Sequence, residues 1–177
     1  MDLKSIIESG DIHPAPAVIA PTIPRKPFTL STSGIGRHHK RANIKIQDGC
    51  DFFCSFCEIP YARGRARSRV FEDILLEANT LVSAGHKELI ITGINVGTYS
   101  YEGYSLLNVV EALEKIQGLE RIRISSIEPT TIPRELIGKM AQPSKLCRHL
   151  HIPLQSASNP ILSLMKRKYT LQEFDEF

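Results

Sequence analysis

The sequence has no tryptophan, and aromatic residues of all kinds make up only 7% of its 177 positions. Reading single-stranded RNA bases by stacking needs aromatic platforms, and here only Tyr61, Tyr99, Tyr101 and Tyr104 offer themselves. The chain also lacks any apolar run approaching the ~18–20 residues that a membrane span requires. Met1–Gly10 lacks the basic-then-apolar order of a signal peptide. Membrane insertion and secretion are therefore not expected, and a cytoplasmic location is. Cysteine is scarce too, with four in all, and three of them fall within eight residues: Cys50, Cys54 and Cys57. A secreted disulfide framework favours even numbers and wider spacing, so these three read as metal or cluster ligands.

What is present is ordinary for a soluble globular chain: 42% hydrophobic and 23% charged residues, in a length suited to about one domain. The net charge of +3 is unevenly spread. Arg37 to Arg69 carries eight Lys/Arg and three acids, a local +5 that leaves −2 for the rest. Arg63, Arg65, Arg67 and Arg69 alternate within it. Extended, they would form one rail of guanidiniums suited to phosphates. Lys166, Arg167 and Lys168 form a second basic cluster. The competing reading is a solvated face, or internal pairs with Glu72, Asp73 and Glu128.

Five of the eleven prolines precede residue 28. Proline fixes φ and lacks an N–H, so residues 1–40 read as a linker, extended over 11–40, with a short helix possible at Asp2–Glu8. From residue 41 onward apolar periodicity takes over. It predicts strands at Ala42–Gln47, Glu88–Thr92, Arg121–Ile127 and Arg148–Leu154, and helices at Phe71–Ala84, Ser105–Ile116, Pro133–Met140 and Ile161–Lys168. Asn159-Pro160 reads as the cap and first turn of the last of these, and Thr170 as the cap of one more. Four strand–helix repeats imply an α/β fold with a parallel sheet. Functional groups then belong at the C-terminal strand ends: Gly49–Cys57, Thr92–Asn95, Ser125–Glu128 and Gln155–Ser158.

The cysteines follow the first strand as CxxxCxxC. Three thiolates can bind three irons of a four-iron cube and leave the fourth open, as catalytic metal sites keep a position free. The alternative is a zinc site completed by His38 or His39, although zinc knuckles usually show CxxC pairs. Cys147 is far off in sequence and reads as core.

CxxxCxxC with Phe56 before the last cysteine resembles the signature of radical S-adenosylmethionine enzymes. Lys45–Cys50, Pro60–Gly64, Thr92–Asn95, Arg123–Pro129 and His149–Ser156, in that order, are similar to the methylthiotransferases of that group, especially the MtaB-type branch that acts on threonylcarbamoyladenosine in tRNA. The resemblance implies a partial (β/α) barrel of about four βα units. It implies a 4Fe-4S cluster on Cys50, Cys54 and Cys57, with S-adenosylmethionine at the open iron. Phe56 would lie near its adenine, Gly93 and Asn95 at its methionine end, and Ser125, Ser126, Glu128 and Gln155 would face the same cofactor. Arg63, Arg65, Arg67 and Arg69 would meet tRNA, and a flavodoxin or ferredoxin would donate the electron.

Relative to that family, residues 1–40 correspond to a linker and the end of a missing N-terminal domain, and residues 41–177 to the first part of the radical core. The full reaction would then need parts this chain lacks. Ala157 stands where the family commonly has glycine, which matters if that position needs positive φ. A different radical enzyme, or a non-enzymatic zinc or RNA-binding module, are the other readings of these residues.

Overall fold

A computed structural model describes residues 25–30 and 39–176. The possible helix at Asp2–Glu8 and most of the linker lie outside the described residues. Three parallel strands form the central sheet in the order β1 (Arg41–Lys45), β4 (Glu88–Thr92), β7 (Arg121–Ile124). Arg41 pairs with Glu88, and Glu88 with Arg121, so the three strands start level. Two short antiparallel ladders flank the sheet: β2 (Gln47–Asp48) with β3 (Arg67–Ser68), and β5 (Ser100–Tyr101) with β6 (Tyr104–Ser105). The helices are α1 (Ile59–Arg63), α2 (Phe71–Ser83), α3 (Leu106–Glu114), α4 (Arg134–Ala141), α5 (Asn159–Leu164) and α6 (Leu171–Asp175).

Each crossover helix presents an apolar stripe to the sheet. Ile74, Ala78 and Leu81 of α2 are buried, as are Val109, Val110 and Leu113 of α3. They pack with Ile44, Leu89, Ile91, Ile122 and Ile124 of the strands into one core. Each buried Ile, Leu or Val among them contributes about 1.5–3 kcal/mol. Glu72 and Asp73 in the first turn of α2 suit the positive end of its dipole. Thr170 caps α6, accepting from Glu173 N at 3.2 Å while its own N–H donates to Glu173 Oε2 at 2.7 Å.

The fold is the expected α/β arrangement, with four differences in detail. The first predicted strand ends at Lys45, because Gln47 and Asp48 leave the parallel sheet to pair with β3. The third ends at Ile124. The fourth, Arg148–Leu154, is not a regular strand. Its region runs along the outer edge of β7 and the segment after it, bridging Ile122 at Leu146 and Ser126 at His151, with Cys147 N donating to Ile122 O (2.8 Å) and Ile127 N to His151 O (3.1 Å). A tight turn, His149 N to Cys147 O at 2.8 Å, breaks the run, and Pro153 has no N–H to extend it. Finally, α5 is capped by Ser158 rather than Asn159, with the proline in its first turn, and it ends at Leu164 rather than Lys168 because Lys166 turns to φ +56°.

Residues 25–30, read as linker, add to the β2–β3 ladder. Phe28 N donates to Ser68 O at 3.2 Å and Phe28 O accepts from Val70 N at 3.0 Å. The Phe28 ring lies beneath the cations of Lys45 and Arg67.

Candidate functional site

The ends of β1 and β4 are joined by one buried side chain that the sequence did not single out. Gln47 Oε1 accepts from the amides of Ile94 (2.9 Å) and Asn95 (2.8 Å), and its Nε2 donates to the carbonyls of Asp48 (3.1 Å) and Gly49 (2.8 Å). Gly93 leaves room for this approach: a Cβ there would lie 3.1 Å from Gln47 and 3.0 Å from Val96, tight enough that one of them would have to give by a few tenths of an ångström. Asn95 is fully buried. One end of its amide meets Thr131 Oγ1 at 3.0 Å, and the other is buried with no protein partner. An unmet buried amide end costs about 1–3 kcal/mol, so Asn95 is poised for a polar ligand.

The cysteine loop leaves β2 through Gly49, whose φ of +71° is open to glycine and whose Cβ would fall 2.2 Å from the Arg65 carbonyl. Cys50 N donates to Gly64 O at 3.1 Å, closing the base of the loop. Asp51 ties the same base, accepting from Ala66 N at 3.2 Å and pairing with Arg65 at 3.0 Å. Within the loop Cys57 N donates to Cys54 O at 3.0 Å, and Phe52 N donates to Cys50 Sγ at 3.5 Å. All three thiols are free, with Cys54 buried and the others half-buried. Burial pushes the Cys50 thiol up, and the charges of Cys54, Cys57 and Glu128 add to that.

The far side of the loop is held by the segment after α5. Ser55 N donates to Met165 O (3.1 Å) and Ser55 Oγ to Leu164 O (2.9 Å). Arg167 Nη1 donates to Cys54 Sγ at 3.3 Å, while its Nη2 reaches both oxygens of Glu128 at 2.6 and 2.5 Å. Its Nε donates to Tyr169 OH at 3.2 Å. The Tyr169 hydroxyl bonds in turn to the carbonyls of Pro153 (2.7 Å) and Leu154 (2.9 Å). The ends of the first, third and fourth predicted strands thus meet through Arg167. A deeper pairing with Glu128 raises the guanidinium's pKa although burial alone would lower it.

Of the readings open for Lys166–Lys168, Arg167 takes the internal pair with Glu128, its side chain 4% exposed, while Lys166 and Lys168 stay exposed. The four alternating arginines are all paired internally, with Arg63 and Arg65 about half-exposed and Arg67 and Arg69 drawn further in. Arg63 and Arg67 both bind Asp48, at 2.9 and 2.7 Å. These pairs, with Lys45, hold the Asp48 carboxyl down at about 2 against the opposing effect of burial. Arg69 is fully buried between Asp73 (2.6 Å) and Glu77. They form no single rail because α1 ends at Arg63, Gly64 turns at φ +78°, and only Arg67–Ser68 is strand.

Of the other predicted site residues, Phe56 stands out from the loop at 52% exposure. Ser125 is half-buried, its N–H on Ile91 O at 3.0 Å, and Ser126 bridges His151. Gln155 is exposed and takes φ +67°, inside a turn closed by Ser156 N to Leu154 O at 2.8 Å. The left-handed position of this loop is therefore Gln155, and Ala157 has no positive φ to bear. Tyr99 is buried and donates to Arg69 O at 2.9 Å, which removes it as a stacking surface.

Among the described residues no three His, Cys, Asp or Glu side chains converge as a single ion demands. His39 lies with Lys40, Lys87 and Arg121 at the N-terminal end of the sheet, opposite the cysteine loop, so it does not complete a zinc site there. His38 lies outside the described residues. Three free thiols on one closed loop are the kind of donor set that an iron–sulfur cluster takes.

Comparison with known proteins agrees. The chain is 46% identical over 137 residues to threonylcarbamoyladenosine tRNA methylthiotransferase MtaB of Bacillus subtilis (strain 168), covering 76% of this chain and 30% of that protein. It is 48% identical over 134 residues to the protein of the same name from Chlamydia pneumoniae, covering 76% and 32%. It is 40% identical over 136 residues to the tRNA-2-methylthio-N(6)-dimethylallyladenosine synthase of Thermodesulfovibrio yellowstonii, covering 77% and 32%. The chain thus spans about a third of the length of these curated relatives. In fold it resembles the radical S-adenosylmethionine methyltransferase TsrM of Kitasatospora setae, solved with cobalamin and a [4Fe-4S] cluster, with a TM-score of 0.63, 18% identity, and coverage of 86% of this chain and 32% of that one. Residues 44–177 match the Radical SAM superfamily as a family. With the cysteine loop at the C-terminal end of a parallel α/β sheet, that match places the chain in the radical SAM superfamily.

Proposed function

We propose that this chain is the cofactor-binding part of a radical S-adenosylmethionine methylthiotransferase that modifies an adenosine beside the anticodon of tRNA. The observation that carries the reading is the CxxxCxxC loop closed at the end of β1 next to the half-unpartnered Asn95 amide at the end of β4. Cys50, Cys54 and Cys57 would hold a 4Fe-4S cluster. When bound, the cluster supplies the single electron that cleaves a carbon–sulfur bond of S-adenosylmethionine, chemistry beyond amino-acid side chains.

The chain's own residues do the holding. Gln47 locks the ends of β1 and β4 together, Gly93 keeps the approach open, and Asn95 offers its free amide end to the polar end of the cofactor. Phe56 offers an exposed ring beside the cluster, and Ser125, Glu128 and Gln155 stand at the neighbouring strand ends. Residues 41–177 carry the core, and residues 25–30 of the preceding segment join it through Phe28. In the basic segment, Arg63 and Arg65 keep about half their surface exposed, which supports them over Arg67 and Arg69 as the contacts for tRNA phosphate. The MtaB-type substrate, threonylcarbamoyladenosine, is the reading favoured by the identity to two relatives of that name. A cytoplasmic location and a flavodoxin or ferredoxin donor accompany it. Among the described residues no helix is long and apolar enough to cross a membrane.

The test is anaerobic reconstitution of the chain with iron and sulfide, then EPR of the reduced protein with and without S-adenosylmethionine. About four irons per chain and a spectrum that changes with the cofactor are expected. Zinc retained in place of a cluster under these conditions overturns the reading in favour of a binding module.

A further inference from the structure

Arg167 is the one cationic side chain among the described residues that touches a cysteine sulfur, and it does so from a buried position. Its placement is built by the backbone. α5 ends in a reversed turn in which Arg167 N bonds to Leu162 O (2.9 Å) and Lys166 N to Ser163 O (2.9 Å), with Lys166 at φ +56°. This is the Schellman arrangement. It turns the chain back on itself, so that residue 167 follows the helix end and its side chain enters the loop. There Glu128 and Tyr169 fix the guanidinium plane, leaving Nη1 for the sulfur. Such a construction exceeds what a surface ion pair needs.

We propose that Arg167 is a positioning residue that tunes the cluster bound by Cys50, Cys54 and Cys57, by donating a hydrogen bond to the Cys54 sulfur while Glu128 balances its charge. The proposal rests on the cluster reading above. Hydrogen bonds to ligand sulfurs and the charge around them set the reduction potential of iron–sulfur clusters. One electron, supplied by a low-potential one-electron donor, adds one negative charge to the cluster and its thiolates. An N–H donor against Cys54 stabilises that charge and raises the potential. Glu128, which faces the same sulfurs through Arg167, lowers it. The pair therefore acts as two opposed settings on one site, and removing either partner shifts the potential in a direction fixed by which one is removed.

The experiment is a dye-mediated redox titration of the reconstituted 177-residue chain, followed by EPR without S-adenosylmethionine, in wild type, Arg167→Met, Arg167→Lys and Glu128→Gln. Iron and sulfide per chain and the melting temperature are measured on each. Arg167→Met is expected to lower the potential and Glu128→Gln to raise it, with Arg167→Lys between Arg167→Met and wild type. A purely structural role would loosen the loop in all three and give no such opposition of sign. Equal potentials, or shifts of one sign at unchanged iron content, overturn the proposal. If Arg167→Met takes up no cluster, Glu128→Gln decides alone: a raised potential supports the proposal and an unchanged or lowered one overturns it. A wild-type chain without iron and sulfide overturns the cluster reading itself, and this proposal with it.

Discussion

At the scale of single residues, two alternating arginines of the same segment have opposite weights. Arg69 has no exposed surface and neutralises Asp73 and Glu77 while its Nη1 also reaches Lys45 O at 3.2 Å. Removing one partner of such a group leaves buried charge uncompensated, at about 3–5 kcal/mol. Arg69→Met should therefore lower the melting temperature by on the order of 10 °C for a chain of this size. Arg65 is half-exposed against Asp51, and Arg65→Ala should stay within about 0.5 kcal/mol. Equal losses in thermal denaturation would show that the burial of Arg69 has no energetic consequence. Glu88 gives a pH dependence at the opposite end of the sheet. It is 2% exposed and meets Arg41 at 3.2 Å, Arg121 at 3.0 Å and Arg123 at 3.3 Å. Burial alone would raise its pKa, but the hydrogen bond from Arg123 and the charges of all three arginines bring it below the ordinary glutamate value. A depressed carboxylate stabilises the fold above its unfolded pKa and loses that contribution as pH falls through the folded one. Stability should thus decline below about pH 4.3. Glu88→Gln should flatten that decline while lowering stability at pH 7 by on the order of 1–2 kcal/mol, since its partners stand partly in water. Urea midpoints at pH 3, 4 and 7 decide it; an unchanged acid limb in the variant refutes the assignment.

At the scale of elements, Lys166 occupies a left-handed position that usually takes glycine. The left-handed conformation costs a side chain roughly 1–2 kcal/mol, part of which glycine returns through its freer unfolded state. Lys166→Gly should raise stability by about 0.5 kcal/mol, read as a higher urea midpoint, and leave the Arg167 contacts in place. A loss of stability would mean that the lysine side chain contributes where no contact places it. The same helix end explains what could be read from sequence and what could not. Glu88–Thr92 was legible because a short run of apolar residues ends at a glycine, and the cysteine loop because its spacing is specific. The strand expected at Arg148–Leu154 had suitable residues, but a turn at Cys147–His149 and the missing N–H of Pro153 leave only bridges. Internal pairing with Asp73 and Glu128 was one of the readings open for the basic runs, and the sequence could not choose it over a solvated face, because a run says nothing about which carboxylates the fold delivers. Asp73 and Glu77, one and two helical turns beyond Arg69, were the local signal for the first. Glu128 stands thirty-nine residues from Arg167, and only the folded chain brings the two together. Gln47 was hidden for a similar reason, since its four hydrogen bonds depend on two strand ends meeting.

At the scale of the whole molecule, the cysteine loop belongs to two parts of the chain at once. Its base is set by Gln47, Gly49 and Gly64 near the start of the domain, and its far side by Leu164, Met165 and Arg167 more than a hundred residues later. The main core, by contrast, is made from Ile44 through Leu146 with Ile152 packed against it, and takes nothing from α5 or α6. Stability and site geometry are therefore separable. A chain ending at Ser156 keeps the three cysteines and the whole of that core, but loses both hydrogen bonds to Ser55 and the Arg167 contact with Cys54. Its far-ultraviolet circular dichroism should retain the sheet and the α2 and α3 helices, whereas iron and sulfide uptake under anaerobic reconstitution should fall several-fold below that of the 177-residue chain. Supplying the ligands would then be insufficient: three thiols on a loop free at one side lose conformational entropy when a cluster orders them, a cost the intact chain meets during folding. Undiminished uptake by the shortened chain would instead mean that the closed base of the loop, from Gly49 to Gly64, suffices to organise the ligands, and that the segment after α5 serves the site only through Arg167.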